Sequence, residues 1–413
     1  MTTPRRRSEA AVTAGRNVSR RVAVTSLVTV AALTLAGCAE SKTPAPAATA
    51  PGQATGDIKI GAVLDITGAG ASLGVPERQT LELLVGQVNA AGGVNGRKIN
   101  LLIEDNQSTE DGAAKAANKL LSTEKVDLLI GASRTGPSLA MRPLAEQTKT
   151  PMISLAANAK IVDGSTWVFK TAQNDRVVIE KMVDDMAAKG YKKIAIARDA
   201  SGFGEGIPEM LTEVGKSASI EVVRVEKFAP DATDFTAQMV NVRDSKPDAV
   251  VIWGIPPAAS LAQVAYRRLG ITAPVYQSHG IGNQVFLDTA GDAANGLLAP
   301  LGRMLVADQL AADDPQKKVV TTFIADYKAK YGQNPSTFAG HAYDGFMIGV
   351  DSLKKAGTDK QKLRDTIEAT KDWPGISGVF TMTPQDHSGL TKKALVMVEV
   401  KNKTWALAPG GVG

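Results

Sequence analysis

Val126-Asp127-Leu128-Leu129-Ile130-Gly131-Ala132-Ser133-Arg134-Thr135-Gly136-Pro137 is the stretch on which the fold turns. The apolar run over 126–130 has the length and composition of a strand buried on both faces, and it breaks at a glycine into a loop of small residues. Pro137 marks the expected start of a helix, because proline is tolerated in a first turn. Strand, short loop and helix make half of a parallel βα unit. In a sheet of such units the loops gather beyond the carboxyl ends of the strands, where unbonded helix N–H groups and small hydroxyls can meet a ligand.

The same alternation extends in both directions. Before the quoted stretch lie a strand over 58–64, a helix over about 76–91, the turn Gly92-Gly93-Val94-Asn95-Gly96, a strand over 98–104 and a helix around 111–124. A strand over 152–155 follows it. A second series opens near Asn174 with a helix to Lys189 and continues through strands over 193–197, 220–228 and 249–253. Helices then return around 315–331, 336–355 and 359–370, and a strand over 394–400 ends the pattern. The spacings leave room for the crossovers that parallel strands need. At 413 residues the chain exceeds what one core usually serves, so an α/β protein of two lobes is expected.

Composition agrees with a folded, water-exposed body: 44% apolar, 22% charged and 5% aromatic residues, with mean hydropathy −0.06. The pI of about 9.0 suggests an acidic partner, but the excess charge sits at the N-terminus. Residues 1–37 hold Arg5, Arg6, Arg7, Arg16, Arg20 and Arg21 against one acid, Glu9, and the rest of the chain has as many acidic as basic side chains. No basic stripe interleaved with aromatics appears in it, so nucleic acid is not an expected partner.

Arg16, Arg20 and Arg21 precede an apolar run over 22–36 that is too short for a bilayer span and reads as a signal peptide. It ends in Leu35-Ala36-Gly37-Cys38, which looks like a bacterial lipobox, with Cys38 as the lipid attachment site. Cys38 is the only cysteine, so no disulfide can form within the chain. Ser19-Arg20-Arg21 resembles a twin-arginine start, and the export route stays open. Residues 39–56, rich in Ala, Pro, Thr and Gly, read as a flexible tether holding the body at the outer face of the cell membrane.

Five separated segments carry a family resemblance: Ile58-Lys59-Ile60-Gly61 running into Thr67-Gly68 and Ser72-Leu73-Gly74; Asn89-Ala90-Ala91-Gly92-Gly93-Val94-Asn95-Gly96; Ile130-Gly131; Phe203-Gly204-Glu205-Gly206; and Ala290-Gly291-Asp292-Ala293-Ala294-Asn295-Gly296. In that order they resemble the periplasmic binding proteins of the leucine/isoleucine/valine type, which feed ABC importers. The resemblance implies the type 1 fold: two parallel-sheet three-layer lobes, joined by three crossovers that form a hinge, closing on ligand. It places 57–173 with 303–382 in one lobe and 174–302 with 383–413 in the other. A monomer without cofactor is expected, with an ABC permease and ATPase complex as partner.

In that family the loop after the third strand grips a ligand carboxylate. The role carries over to Thr135 and Gly136, and more loosely to Ser133; the competing reading is an N-cap turn serving only its own helix. Ser154-Leu155-Ala156-Ala157-Asn158 matches a second loop, with Ala157 and Asn158 as contacts, although Asn158 also suits a simple chain turn. Phe203 falls where the family has an aromatic cover for the ligand, or else packs in the core. Leu73 and Ile255 stand where amino-acid binders carry aromatics, which leaves room for an apolar ligand body.

The main departure is His279, in Gln277-Ser278-His279-Gly280, where amino-acid binders have an acid for the α-ammonium. A neutral imidazole supplies an acceptor without negative charge, so the expected ligand is an aromatic or aliphatic acid lacking an α-amino group. A branched-chain or other hydrophobic amino acid is the alternative, with Asp65 available to replace the missing acid. Arg134 is expected to face solvent. A ligand sensor of the same fold is a further alternative.

An enzyme is not expected. His279, His341 and His387 are scattered without a metal-ligand spacing, and no P-loop or G-x-G-x-x-G is present.

Overall fold

The computed structural model describes residues 56–411, so the signal peptide, Cys38 and nearly all of the tether lie outside the described residues. Strand β1 (Ile58–Leu64) is buried at every position but Lys59 and pairs in parallel with both β2 (Ile99–Asp105) and β3 (Leu128–Gly131). With β4 (Met152–Ser154) and β5 (Val168–Lys170) these form a fully parallel sheet of order β2-β1-β3-β4-β5. Strand alternation divides the side chains between two cores. Ile60, Ala62 and Leu64 enter the core shared with helices α1 (Ala71–Ala90) and α10 (Thr337–Ala356), while Val63 enters the opposite one, beneath α2 (Glu110–Asn118) and α3 (Thr135–Thr148).

Helix α1 (Ala71–Ala90) starts five residues before the expected proline. Pro76 is its sixth residue and removes one N–H from the second turn, a loss a twenty-residue helix tolerates when tertiary packing holds it. The earlier start places Leu73 in the first turn, buried. Helix α2 (Glu110–Asn118) is capped by Thr109 Oγ1, which accepts from Gly112 N–H at 3.0 Å. Helix α3 (Thr135–Thr148) begins two residues before Pro137.

The second series forms β6 (Lys193–Asp199), β7 (Glu221–Phe228), β8 (Ala249–Trp253), β9 (Val275–Gln277) and β10 (Leu298–Gly302), all parallel, with helices α4 (Asp175–Ala188), α5 (Ile207–Gly215), α6 (Thr236–Asp244), α7 (Ala258–Arg268) and α8 (Gln284–Ala290) between them. Ala195 and Ala197 face one core of this sheet and Ile194 and Ile196 the other, repeating the three-layer plan. The sheet is then widened by an antiparallel pair, β13 (Leu395–Lys401) and β14 (Thr404–Leu407). Asn402 and Lys403, at φ 50° and 59°, form the two-residue hairpin turn that joins them. Only β13 was legible in the sequence, because β14 is short and carries one buried residue, Trp405.

Helices α9 (Lys317–Tyr331), α10 (Thr337–Ala356) and α11 (Lys360–Glu368) precede a small ribbon, β11 (Trp373–Pro374) with β12 (Val379–Phe380). The chain passes between the two sheets three times: after β5, after β10 and before β13. Leu390 and Ala394 still pack in the core of the first sheet, so the last passage falls just before β13 rather than after 382. Among the described residues no helix is long and apolar enough to cross a membrane.

Helix α10 is the most buried of the α-helices, and glycine lets it lie against the first sheet. A Cβ on Gly349 would collide with Leu128 Cδ2, whereas one on the exposed Gly86 of α1 meets nothing within 4 Å. Gly349→Val is therefore expected to cost roughly 1–3 kcal/mol in urea unfolding, and Gly86→Ala to add about 0.5–1 kcal/mol. Equal effects at the two sites would contradict this packing.

Candidate functional site

Gly131 ends β3 at φ 111°, and a Cβ there would strike the Val63 carbonyl, so only glycine lets the chain leave the strand here. The following loop is held from below by a buried network. The Asp65 carboxylate takes hydrogen bonds from Arg134 Nε and from Asn106 Nδ2 (2.6 Å). Arg134 also donates to the Ser108 carbonyl. Ser133 Oγ accepts from Asp65 N–H at 3.0 Å and donates to Glu77. Burial pushes the Glu77 carboxyl well above its ordinary range, partly offset by the Ser133 hydroxyl, with the Asp65 charge adding to the rise.

Two expectations change here. Arg134 does not face solvent: its side chain is 17% exposed and closes on Asp65. Asp65 in turn is saturated and does not line the cavity, so it is no replacement for the acid missing at position 279.

The network leaves the start of α3 open. Arg134 is the N-cap residue and gives no side-chain cap, and among the described residues the Thr135 and Gly136 N–H groups have no protein acceptor. Thr135 Oγ1 is buried and unpartnered as well. Thr135 and Gly136 line a cavity of about 630 Å³ between the loops of the two sheets, a size suited to a small organic ligand.

Leu73, Ser133, Thr135, Gly136, Ala157, Phe203, Ile255 and His279 all line this cavity, so the fold brings together eight of the nine residues singled out for ligand contact. Asn158 does not line it. Its Oδ1 accepts from Lys160 N–H at 2.9 Å, and its Nδ2 donates to the Gly202 carbonyl at 3.0 Å, tying the loop after β4 to the loop after β6. Ser133 lines the cavity with its hydroxyl already engaged.

The far wall is aromatic. Phe203 packs 5.5 Å from Trp253 and, edge-on, 5.5 Å from His279, and Trp253 Nε1 donates to the Phe203 carbonyl at 3.1 Å. Phe203 thus both lines the cavity and leans on the core, joining the two readings its sequence position left open.

The sequence did not single out Glu110, Glu205, Phe338 or His341, which also line the cavity. Phe338 and His341 lie one turn apart in α10, a spacing that could have flagged a shared face. Histidine thus enters from both sides, while His387 sits elsewhere, stacked on Phe169 and bonded to the Val168 carbonyl and Glu368. No group of three or more His, Cys, Asp or Glu side chains that could hold a metal occurs among the described residues.

Burial drives the His279 imidazole down to about 3, with His341 and Lys170 adding repulsion and the Gln173 backbone a weak counterweight. His341 falls to about 3 for the same first cause, then Lys170. Burial likewise lowers Lys170 and raises Asp175, each shift partly offset by the opposite charge of the other.

Such an arrangement, two α/β lobes with a cavity beyond their strand ends, defines a binding clamp. The chain belongs to the periplasmic binding protein family, whose model matches residues 57–404. It is 27% identical over 318 residues to the leucine-, isoleucine-, valine-, threonine- and alanine-binding protein of Pseudomonas aeruginosa, covering 76% of this chain and 82% of that protein. An extracellular ligand-binding receptor from Rhodopseudomonas palustris superposes with TM-score 0.81 at 30% identity, over 86% of this chain and all of that one. The branched-chain amino acid transporter substrate-binding protein LivJ of Streptococcus pneumoniae, solved with isoleucine, gives TM-score 0.76 at 26% identity, over 84% and 97%.

The depressed histidines have a signed consequence. Between about pH 3 and 6.5 the unfolded chain carries a proton on His279 that the folded chain lacks, so stability falls as pH is lowered through that window. Burial raises Asp344 to about 7, and its contribution acts the other way, falling as pH rises from 3.8 to about 7. Comparing a variant with the native chain isolates the histidine: from pH 7 to pH 5, His279→Phe should gain about 2 kcal/mol relative to native in urea unfolding. A difference that stays constant with pH would refute a neutral buried imidazole.

Proposed function

We propose that this chain is the substrate-binding component of an ABC importer, not an enzyme, and that it closes on a small organic carboxylate and delivers it to a permease. The observation that carries this reading is the open start of α3: two N–H groups without a protein acceptor and the buried, unpartnered Thr135 hydroxyl, on residues that line the cavity. Such a helix start favours an anionic oxygen without needing a paired cation. Leu73, Ala157, Phe203 and Ile255 would surround an apolar ligand body. The acid at position 279 is missing and Asp65 is occupied, which supports an aromatic or aliphatic acid without an α-ammonium.

A branched-chain or other hydrophobic amino acid is the second reading. It is favoured by the names of the relatives and by Glu110 and Glu205, exposed carboxylates on the cavity lining that could meet an ammonium. The lobes in this proposal comprise 57–173 with 303–394, and 174–302 with 395–413, with Asn158 bridging the cleft rather than touching ligand.

Thermal-shift measurements on the purified chain separate the ligand readings. At a hundred times its Kd a ligand stabilises by about 2.7 kcal/mol. Acids without the amino group should raise the midpoint; a rise with leucine or valine alone would reverse the assignment. Thr135→Ala should weaken the bound acid about tenfold while leaving the unliganded midpoint in place, and unaltered affinity would remove the carboxylate loop from the site.

Anchoring is a separate proposal, resting on Leu35-Ala36-Gly37-Cys38, outside the described residues. In cells, Cys38→Ser should move the chain from the membrane fraction to the soluble one. Retention on the membrane would exclude a lipid on Cys38.

A further inference from the structure

The loop that precedes α3 rests on a buried carboxyl group, Glu77 of α1, which has no exposed surface. Its Oε2 meets the Ser133 hydroxyl, while its Oε1 is enclosed without a partner. Ser133 stands two residues ahead of Thr135, so one hydroxyl joins Glu77 to the segment that opens α3.

The surroundings of Glu77 give it no counter-charge. Asp65, at the end of β1, bears on it with the same sign. Arg134, in the loop after β3, is engaged by Asp65 and the Ser108 carbonyl. Asn106, from the loop after β2, is neutral and gives its amide to Asp65. Arg78, next to Glu77 along α1, has Glu82 as its ion-pair partner at 3.8 Å. A carboxylate out of water with one hydrogen bond and no paired cation is costly, and such a group takes up a proton instead. A neutral carboxyl keeps the contact with Ser133, because it can give its own hydrogen to Oγ. Burial, opposed by the Ser133 bond and reinforced by Asp65, moves Glu77 in the direction this geometry requires.

The proton on Glu77 sets the charge behind the α3 start. With Glu77 neutral, the Asp65 and Arg134 charges cancel. With Glu77 ionised, the same cluster is left negative. Two residues of chain span at most about 7 Å, which places that charge on the order of 10 Å from an anion held at the Thr135 and Gly136 N–H groups. Through protein at that range, two like charges shift an equilibrium by about tenfold.

Building on the carboxylate reading above, we propose that Glu77 is a positioning residue that admits the anion only while it is itself a neutral acid, so that the clamp takes up a carboxylate and a proton together. The proton stays on Glu77 and the ligand stays an anion; nothing is transferred between them. Affinity then rises as pH falls and levels off once Glu77 is fully protonated. The chain without ligand carries a matching sign: the unfolded state loses this proton first, so the contribution of Glu77 to stability falls as pH rises above about 4.5.

The test is calorimetric titration of the purified chain with benzoate, hexanoate and 4-methylpentanoate between about pH 6 and 9, where all three are ionised. At least one should bind, with affinity falling about tenfold across that range. Titrations in phosphate and in Tris, whose ionisation enthalpies differ, should show up to about one proton taken from the buffer per ligand. Glu77→Gln keeps a partner for Ser133 without a charge, and it should lose this pH dependence and this uptake while keeping the affinity seen at low pH. Asp175, Asp344 and Lys170 are shifted toward the same range, but native and variant share them and their effects cancel in the comparison. In urea unfolding Glu77→Gln should gain on native as pH rises from about 5 to 7, a readout that needs no ligand. Should Glu77→Gln misfold, Glu77→Met should show the flat profile at lower affinity, and the proton count on the native chain stands without either variant. A Glu77 that merely props the loop would, when replaced, weaken binding equally at every pH. That outcome, or an acid that binds native chain with no proton uptake, would overturn this proposal alone. Failure of all three acids to bind at any pH would overturn the carboxylate reading with it.

Discussion

The buried Asp65 carboxylate is the constraint on which the site depends. It stands at the carboxyl end of β1, the strand flanked by both β2 and β3, and is bonded to Arg134 in the loop after β3 and to Asn106 in the loop after β2. An ion pair out of water is costly unless further hydrogen bonds complete it, and here Asn106, the Ser108 carbonyl and the Ser133 hydroxyl on the Asp65 N–H complete it. Arg134 is at once the N-cap residue of α3 and the partner of Asp65. Pulling its side chain down to Asp65 keeps it from covering the helix start, and the Thr135 and Gly136 N–H groups are left without a protein acceptor for that reason.

Anion affinity in this cavity therefore comes from oriented dipoles rather than a paired cation. Arg134 is neutralised by Asp65, Lys170 is turned to the Ala172 carbonyl at 2.6 Å, and the two lining histidines are uncharged. Fixed N–H dipoles at a helix start need no reorganisation when the ligand arrives. The charged side chains at the lining beyond Arg134 are Glu110 and Glu205, both exposed and both negative. Selection among anions thus falls to shape.

Much of the fold was legible because burial imposes period. The run 58–64 and the run 249–253 were bounded to the residue, since strands inside a parallel sheet are apolar throughout and end abruptly at loops. Pro76 misled, because a proline marks a helix start only when packing does not extend the helix ahead of it. The site was legible where a motif named a loop, at Thr135, Gly136 and Ala157, and illegible where the decisive fact was a partner distant in sequence. Arg134 with Asp65, separated by 69 positions, and Asn158 with Gly202, separated by 44, are of that kind. His341 was passed over because a lone histidine in a buried helix is ordinary; only the meeting of α10 with the turn after β9 gives it company.

The Asn158 bond also bears on how such a clamp works. Its Nδ2 donates to the Gly202 carbonyl, and a Cβ on Gly202 would lie 3.2 Å from Thr135 Cγ2, so the loops of the two sheets touch across the cleft. The Thr337 N–H and hydroxyl also donate to the Gly282 carbonyl, at 2.9 and 3.1 Å, and each such neutral bond contributes about 1 kcal/mol net. A ligand held by both sides shifts the balance toward closure by its differential affinity for the closed form. Across the cavity, residues of α3 and α10 from the first sheet's side stand opposite Phe203 and His279 from the second's. A molecule that contacts both sides of the cavity makes recognition and closure a single event.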